Sequence, residues 1–467
     1  FDGKSRKPDL IGILFHPSRM REEIGDFFLC DFDNLLLLSV NEGKLPHGES
    51  DASFVPYILR KAFGMTTIEH KISVYAYYFY RLIQRAKHVT LLYNTSTEGM
   101  NRGEMSRFML QFLVEWPHAV KQSYLETAQQ PTGQRLIEVQ KDAQVTHKLY
   151  HRYDADKDAQ LPEEKRSVLS PSALNSYIDC SLKFYYRYVA GLKVPEEVSS
   201  EIDNALFGTI FHLTAQHIYE DLTRRGKQVL AEDLRNLLDN KVQIREYVDR
   251  SFKEEFFKIP PQEKSRYDGT QQVNFDVIVK YITQLLQNDL QYAPFDLEGM
   301  EVRRTEIFSV KTPNGNLNVR IGGDIDRLDS KDGALRVLDY KTGSDKGGSA
   351  SIEALFTPAR DRKYHIFQAF LYASIICGKL REKGKDMPVV PALYYIPNSY
   401  DSSYRPEIKI GGRQAETVSD FTTQFESEYR ECLQILLQEI FNPEIPFRQT
   451  DILDHCKYCD FRRLCRK

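Results

Sequence analysis

The sequence LNVRIGGDIDRLDSKDGALRVLDYKTG, residues 317–343, predicts two β-strands joined by a tight turn. Apolar and polar residues alternate on both sides of Asp332-Gly333, and such a dipeptide is a strong short-range signal for a β-hairpin because both central residues of its tight turn take a positive φ. If these two residues alone form the turn, counting back along both strands places Asp326 directly opposite Asp339. The Cβ atoms of such a pair lie about 4.5–5.5 Å apart.

Two carboxylates at that distance repel each other unless a cation lies between them. Lys341 follows Asp339 by two positions, so it projects from the same face of the strand. This arrangement suits hydrolysis of a phosphodiester, with Mg²⁺ or Mn²⁺ on the carboxylate oxygens and the lysine orienting the attacking water or stabilising the developing anion. The alternative is a solvated, charged hairpin tip, and a bulge or a longer loop would change the register.

GDIDRLD followed by VLDYKTG resembles the signature of RecB-type nucleases of the PD-(D/E)XK class. In that family an aspartate after a glycine-containing strand precedes Asp-x-Lys on the next strand. The resemblance implies that Asp326 and Asp339 are metal ligands and that Lys341 is the catalytic lysine. FGTIFH (207–212) is similar to the family's upstream G-x-x-x-H element, which implies that His212 is a further metal ligand. Outside the resemblance, a helical histidine is more often structural.

QAFLY (368–372) is similar to the downstream Q-x-x-x-Y helix of the same family. The resemblance implies that Gln368 and Tyr372 line the catalytic site and contact substrate. The alternative is a packing pair one helical turn apart. Glu306, on the strand before the hairpin, is a weaker candidate, and we expect it to be an exposed strand residue.

The last residues contain Cys456-x2-Cys459-x5-Cys465, a spacing that could supply three ligands of a zinc site. Cys180 is the best candidate for a fourth ligand. Its segment, SPSALNSYIDCSLKFYYRY, resembles the start of AddB-type nuclease domains, although Ser181 replaces the usual proline. The resemblance implies that the four cysteines hold a structural [4Fe–4S] cluster, and zinc remains the alternative because thiolates suit both.

The N-terminal part has features of an α/β layer, with short apolar runs at 10–15 and 35–40 that predict buried strands. NEGKLP (41–46) and LIQRAKHVTLLY (82–93) resemble the second motor half of UvrD-like helicases. Tyrosines and alanine at 75–80 replace the family's catalytic arginine, so the resemblance implies a degenerate motor without ATPase activity.

We therefore predict an α/β protein in which a partial RecA-like helicase subdomain precedes a PD-(D/E)XK nuclease core. The core should have a mixed central sheet flanked by helices and be closed by the cysteine cluster. The predicted boundaries are 1–125 for the degenerate helicase subdomain, 126–169 for a connector and 170–467 for the nuclease domain.

Composition limits the alternatives. The chain has 467 residues, of which 41% are hydrophobic and 28% charged, as in folded proteins, and its net charge of −3 excludes a histone-like basic binder. No apolar run approaches the roughly 18 residues that span a bilayer, so no membrane association is expected. The chain begins with Phe1, and we expect it to be a piece of a longer protein. Cysteines grouped for metal binding predict a reducing, cytoplasmic location.

These patterns predict Mg²⁺-dependent hydrolysis of DNA, with exonuclease action on single strands delivered by a helicase. The resemblance implies processing of double-strand breaks for recombinational repair, with an AddA-like helicase–nuclease subunit as partner. One alternative is a catalytically silent DNA-binding scaffold subunit, against which the intact Asp326, Asp339 and Lys341 argue. Another is a stand-alone CRISPR-associated RecB-like exonuclease, which would lack the motor-like residues 1–125.

Overall fold

The chain divides into two compact units, Phe1–Pro131 and Thr132–Lys467. A computed structural model describes most of the second unit and part of the first. The described residues are 11–13, 33–46, 57–84, 86–95, 103–116, 120–124, 137–193, 202–224, 226–313, 315–343, 347–401, 404–412 and 415–465.

The first unit contains a parallel sheet with strand order β1-β2-β3 and three described helices. The predicted strand at 35–40 corresponds to β2, and the described part of 10–15 is β1. The buried core of this unit includes Leu35, Leu37, Phe79 and Phe108. The elements are β1 (Ile11–Ile13), β2 (Asn34–Leu37), α1 (Tyr57–Ala62), α2 (Ile68–Ile83), β3 (His88–Leu91) and α3 (Arg107–Glu115).

The NEGKLP segment links the ends of two strands in this unit. The Asn41 side chain donates to the carbonyl oxygens of Asn94 (2.7 Å) and Glu104 (3.2 Å), and it accepts from the Asn94 N–H (3.1 Å). Glu42 accepts hydrogen bonds from the backbone N–H and side chain of Arg107 at the start of α3. These buried amide contacts give the segment a structural role after β2.

The second unit is built on a five-stranded sheet with order β5-β6-β7-β8-β9, in which only β8 and β9 are parallel. Its strands are β4 (Glu138–Val139), β5 (Gln228–Val229), β6 (Phe295–Thr312), β7 (Gly315–Lys331), β8 (Ala334–Lys341), β9 (Val389–Tyr395), β10 (Lys409–Ile410), β11 (Glu416–Thr417) and β12 (Phe447–Arg448). The mixed central sheet predicted from the sequence is confirmed.

Helices cover both faces of this sheet. They are α4 (Ala143–Tyr153), α5 (Pro171–Asp179), α6 (Ser181–Phe184), α7 (Asn204–Leu222), α8 (Ala231–Asp239), α9 (Lys241–Phe252), α10 (Gly269–Tyr292), α11 (Glu353–Phe356), α12 (Tyr364–Glu382), α13 (Phe421–Gln424) and α14 (Glu426–Phe441). None of the described helices combines the length and apolar character that crossing a bilayer requires.

Alternation along β8 explains the two layers. Leu335 and Val337 join one buried cluster with α12 and α14, whereas Leu338 and Tyr340 join the other with α7 and α10. Successive strand residues point to opposite faces, so each apolar pair is covered by its own helical layer. The helices that carry the predicted histidine and glutamine therefore lie on opposite faces of the sheet.

The hairpin between β7 and β8 has the predicted turn. Asp332 and Gly333 have φ angles of 51° and 81°, and Lys331 pairs with Ala334. The ladder continues in the predicted register as far as the pair of Arg327 with Leu338.

Residues 137–169 pack into the second unit. Strand β4 pairs with β12 near the C-terminus, and Val145, Leu149 and Tyr153 of α4 are buried in the larger core cluster. The first part of the predicted connector, 126–136, lies outside the described residues. The domain boundaries at 125 and 169 stay predictions.

Candidate metal centre and active site

Three carboxylates occupy the same level of three neighbouring strands. The β6–β7 pairs on either side of Glu301 place it opposite Asp326. The β7–β8 ladder, extended by one residue, places Asp326 opposite Asp339. The structure therefore adds a third carboxylate, Glu301, to the predicted pair, on the side of Asp326 away from Asp339.

Helix α7 brings His212 to this row. The Asp203 carboxylate caps the start of the helix by accepting from the Leu206 N–H at 2.8 Å. His212 Nδ1 lies 3.3 Å from Glu301 Oε1 and 3.6 Å from Asp326 Oδ2. Ligand atoms of His212, Glu301 and Asp326 all lie within 4.8 Å of one another, so these residues could hold a metal ion.

Asp339 does not belong to that group, although the sequence predicted it as a ligand beside His212. Its Oδ1 accepts from Gln368 Nε2 at 3.0 Å, and its Oδ2 lies against the Lys341 ammonium. Asp326 Oδ2 accepts from the Tyr340 N–H at 2.7 Å, which ties the two aspartate strands together. The structure thus places Asp339, Lys341 and Gln368 together beside the histidine–carboxylate group.

Burial and mutual repulsion set the protonation of the carboxylates. Burial raises the pKa of Asp326, and His212 and Lys341 offset the effect only in part. Burial also raises the pKa of Asp339 to about 6, against the stabilising charge of Lys341. The neighbouring cations therefore balance the negative charge of these carboxylates only in part, which is the electrostatic condition of a cation site.

The two cationic groups respond to the same acids. Burial disfavours the charged form of His212, but Asp326 and Glu301 outweigh it and raise its pKa to about 9. Burial likewise opposes the charge on Lys341, and Asp339 with Asp326 raises its pKa above the usual value. Lys341 is thus a permanent cation in the structure at neutral pH.

Tyr372, the second residue predicted from the Q-x-x-x-Y pattern, is a buried residue of α12. Its side chain is buried one helical turn after Gln368 on α12, and burial raises its pKa above the usual range. A Cβ atom at Gly323 of β7 would meet the Tyr372 hydroxyl at 3.0 Å, so glycine permits the close approach of helix and strand.

The sequence interpretation missed Glu301. Its backbone has a φ of 47°, an uncommon left-handed conformation for a glutamate within a strand. Strain of this kind costs about 1–3 kcal/mol and clusters at functional sites. The bulge between Leu297 and Gly299 shifts the β6 register; Gly299 within the strand is a local signal for a bulge, but it does not identify Glu301 as the residue that faces Asp326.

The expectation that Glu306 is an exposed strand residue is wrong. Its side chain is mostly buried, and both carboxylate oxygens accept from Arg430 of α14, at 2.8 and 2.7 Å. It also packs against the backbone of α12, because a Cβ atom at Gly378 would lie 2.9 Å from its carboxylate. Glu306 is a structural ion-pair partner, and the helices that bury it could not be inferred from β6 alone.

The four predicted cysteine ligands line one cavity of the second unit. Cys180 lies just after α5, and the other three lie in the turns after β12. The structure therefore brings together cysteines from opposite ends of the unit, as the resemblance implied. The lining residues are Asp179, Cys180, Lys183, Gln449, Thr450, His455, Cys456, Cys459, Phe461, Arg462 and Cys465.

Polar contacts join the wall of this cavity to the segment before α12. Arg362 donates to Asp179 Oδ1 at 3.0 Å and to Asn175 Oδ1 at 2.7 Å. The His455 ring nitrogens lie 3.1 Å from the carbonyl oxygens of Asp179 and Ala359. These hydrogen bonds thus connect the wall of the cavity to the segment that leads into α12, the helix that carries Gln368.

Comparison with known proteins agrees with this geometry. Residues 168–466 match the model of the PD-(D/E)XK nuclease superfamily, and the match contains both strands of the hairpin, α7, α12 and the four cysteines. No curated protein gives a significant match to the chain. From the extent of the family match and the sheet that it covers, we conclude that this chain belongs to the PD-(D/E)XK nuclease superfamily.

Proposed function

We propose that the chain is a metal-dependent deoxyribonuclease that hydrolyses phosphodiester bonds at the site around Asp326. One observation carries this proposal: His212, Glu301 and Asp326 converge within 4.8 Å beside a buried pair of Asp339 and Lys341. Membership of the nuclease superfamily implies metal-dependent hydrolysis. Oxygen and imidazole donors of this kind suit Mg²⁺ or Mn²⁺.

The acids and His212 would hold the divalent ion, with Asp339 able to join them if its carboxylate turns from Lys341. A bound Mg²⁺ would supply Lewis-acid stabilisation of phosphate charge and a more acidic water. The roles that we propose for Lys341, Gln368 and Tyr372 require no further chemistry from the metal ion.

Lys341 would donate a hydrogen bond to the attacking water or to a non-bridging phosphate oxygen. Its ammonium is held by Asp339, which is itself oriented by the Gln368 amide at 3.0 Å. Preorganised donors of this kind lower the barrier because they need no reorganisation when charge develops. Tyr372 would support Gln368 from within α12, and the substrate contact that the resemblance implies stays a prediction.

We further propose that Cys180, Cys456, Cys459 and Cys465 hold a [4Fe–4S] cluster. The cavity contains the four thiols that such a cluster needs, and all of them belong to the described residues. The resemblance to AddB-type nuclease domains favours the cluster, and zinc is the alternative because thiolates suit both.

The wider role that we propose is that of an AddB-like subunit in the cytoplasm. Residues 1–125 would be a degenerate helicase subdomain, and an AddA-like helicase–nuclease would deliver single strands for exonuclease action during repair of double-strand breaks. The proposal is supported by the NEGKLP segment after β2 of a parallel sheet and by the cysteine positions.

A nuclease assay with defined metals tests the proposal. Linear single-stranded DNA should be degraded with Mg²⁺ or Mn²⁺ and not with EDTA. Asp326→Asn and Glu301→Gln should each lower the rate by at least about tenfold, as loss of metal-binding groups does. Glu298→Gln, three positions away on β6 and paired with Lys227 at the surface, is the matched control. A folded protein with no activity under any metal would favour the silent scaffold instead.

A further inference from the structure

Arg327 follows the candidate metal ligand Asp326 and is completely buried. Its Nη1 donates to Asp289 Oδ2 of α10 at 2.6 Å, and its Nε donates to Asp329 Oδ2 at 2.7 Å. Arg336 of β8 also donates to Asp329, at 2.8 and 3.0 Å. Four charged groups are therefore paired inside the layer beneath α7 and α10.

Two tyrosines connect this cluster to the candidate metal site. Tyr219 lies on α7 two helical turns after His212, and its hydroxyl donates to Asp289 Oδ2. The Arg327 guanidinium also lies 4.6 Å from the centre of the Tyr219 ring. On the strand side, Arg327 lies 3.4 Å from the Tyr340 hydroxyl, while the Tyr340 N–H holds Asp326.

We propose that Arg327 is a positioning residue of the metal site, because it fixes the His212 helix against the Asp326 strand. This inference rests on the proposed function. Arg327 contacts Tyr219 on the helix, Asp289 on the neighbouring helix and Tyr340 on the next strand, whose backbone N–H donates to Asp326.

The geometry explains why arginine is needed. A planar guanidinium can donate in two directions and stack on an aromatic ring at the same time, whereas a lysine ammonium on a flexible stem cannot reproduce this set of contacts. A shift of α7 would move His212 relative to Asp326 and Glu301, whose atoms lie 3.6 and 3.3 Å away. Partners behind metal ligands typically change metal affinity by about 10–100-fold when they are lost.

The test measures binding of Mn²⁺ to the purified full chain by titration calorimetry, together with thermal unfolding. Tyr219→Phe keeps the ring beneath Arg327 and removes only the hydroxyl contact with Asp289. Arg327→Lys keeps the charge and removes the planar donor set.

Arg320→Lys is the matched control on the same strand. Arg320 is also buried, and its Nη1 donates to Asp158 Oδ1 at 2.6 Å, but its partners lie in the segment before α5. It should lose thermal stability with no more than a twofold change in the Mn²⁺ dissociation constant.

The proposal predicts that Tyr219→Phe and Arg327→Lys each raise the Mn²⁺ dissociation constant by about tenfold or more. Unchanged affinity in both variants overturns it, even if both are less stable. Equal losses of affinity in Arg320→Lys also overturn it, because the effect would then be general loosening.

Failure of the proposed function gives a different result. The wild-type chain should bind Mn²⁺, and Asp326→Asn should abolish that binding. If wild type does not bind Mn²⁺, or if Asp326→Asn binds it normally, the metal site itself is refuted, and the role of Arg327 falls with it.

Discussion

Lys341→Met should destabilise the metal-free protein because it leaves the buried Asp339 carboxylate without its cationic partner. Asp339 is 1% exposed and the Lys341 side chain is 17% exposed, so their ion pair is largely shielded from water. Removing one partner of such a pair typically costs about 3–5 kcal/mol. The hydrogen bond from Gln368 remains, and we therefore expect a loss near the lower limit, about 3 kcal/mol.

A double-mutant cycle isolates the ion pair from the loss of the lysine stem. Asp339→Asn replaces the charge by a neutral group of similar shape, so the combination with Lys341→Met should recover about 2 kcal/mol of the loss. The assay is urea unfolding in EDTA, followed by far-ultraviolet circular dichroism. Lys227→Met, whose partner Glu298 lies at the surface, is the control and should cost about 0–1 kcal/mol.

Two outcomes would contradict this coupling of Lys341 with Asp339. If Lys341→Met is as stable as wild type, the pair does not shield Asp339. If the loss in the double variant equals the sum of the losses in Lys341→Met and Asp339→Asn, the two side chains are not coupled, and the site geometry is wrong at its centre.

Three further predictions concern the surroundings of the site. Gly323→Ala should displace the Tyr372 hydroxyl, because the added Cβ atom would lie 3.0 Å from it. We expect the hydrolysis rate to fall about tenfold and the protein to lose about 1–3 kcal/mol of stability. An unchanged rate in steady-state assays would show that Tyr372 has no role in hydrolysis. Lys141→Met should cost about 2 kcal/mol in urea unfolding, because the Lys141 ammonium donates to three carbonyl oxygens at the end of α14, whereas exposed Lys148→Met should change nothing. Cys459→Ser should abolish visible absorbance and bound iron and lower the melting temperature, whereas stoichiometric zinc in the colourless wild type would establish the alternative metal.

The hairpin was predictable because its information is local. An Asp-Gly pair with alternating flanks determines the turn, and the turn determines the register that aligns Asp326 with Asp339. Lys341 follows from the two-residue period of a strand, and its contact with Asp339 confirms that placement.

Other parts of the site depend on tertiary packing. Glu301 lies beside His212 where a bulge and a left-handed residue redirect β6; the glycine in FDLEGMEVRR signals a bulge, but nothing in it signals a left-handed glutamate. Glu306 was expected at the surface, but α12 and α14 enclose it. In the sequence, Arg327 and Asp329 cannot be distinguished from the exposed charges of a solvated hairpin. Their burial depends on Asp289, which comes from a separate helix.

Degradation of end-labelled single-stranded DNA in Mg²⁺ by wild type and Lys341→Ala tests whether the β7–β8 hairpin carries the active site. Loss of a preorganised donor at the reacting phosphate should lower the rate by about 10²–10³-fold, with Lys227→Ala as an active control. We expect cleavage by wild type and the control, and almost none by Lys341→Ala in a folded protein. Equal cleavage by wild type and Lys341→Ala would contradict it, because the hairpin would then not be the active site.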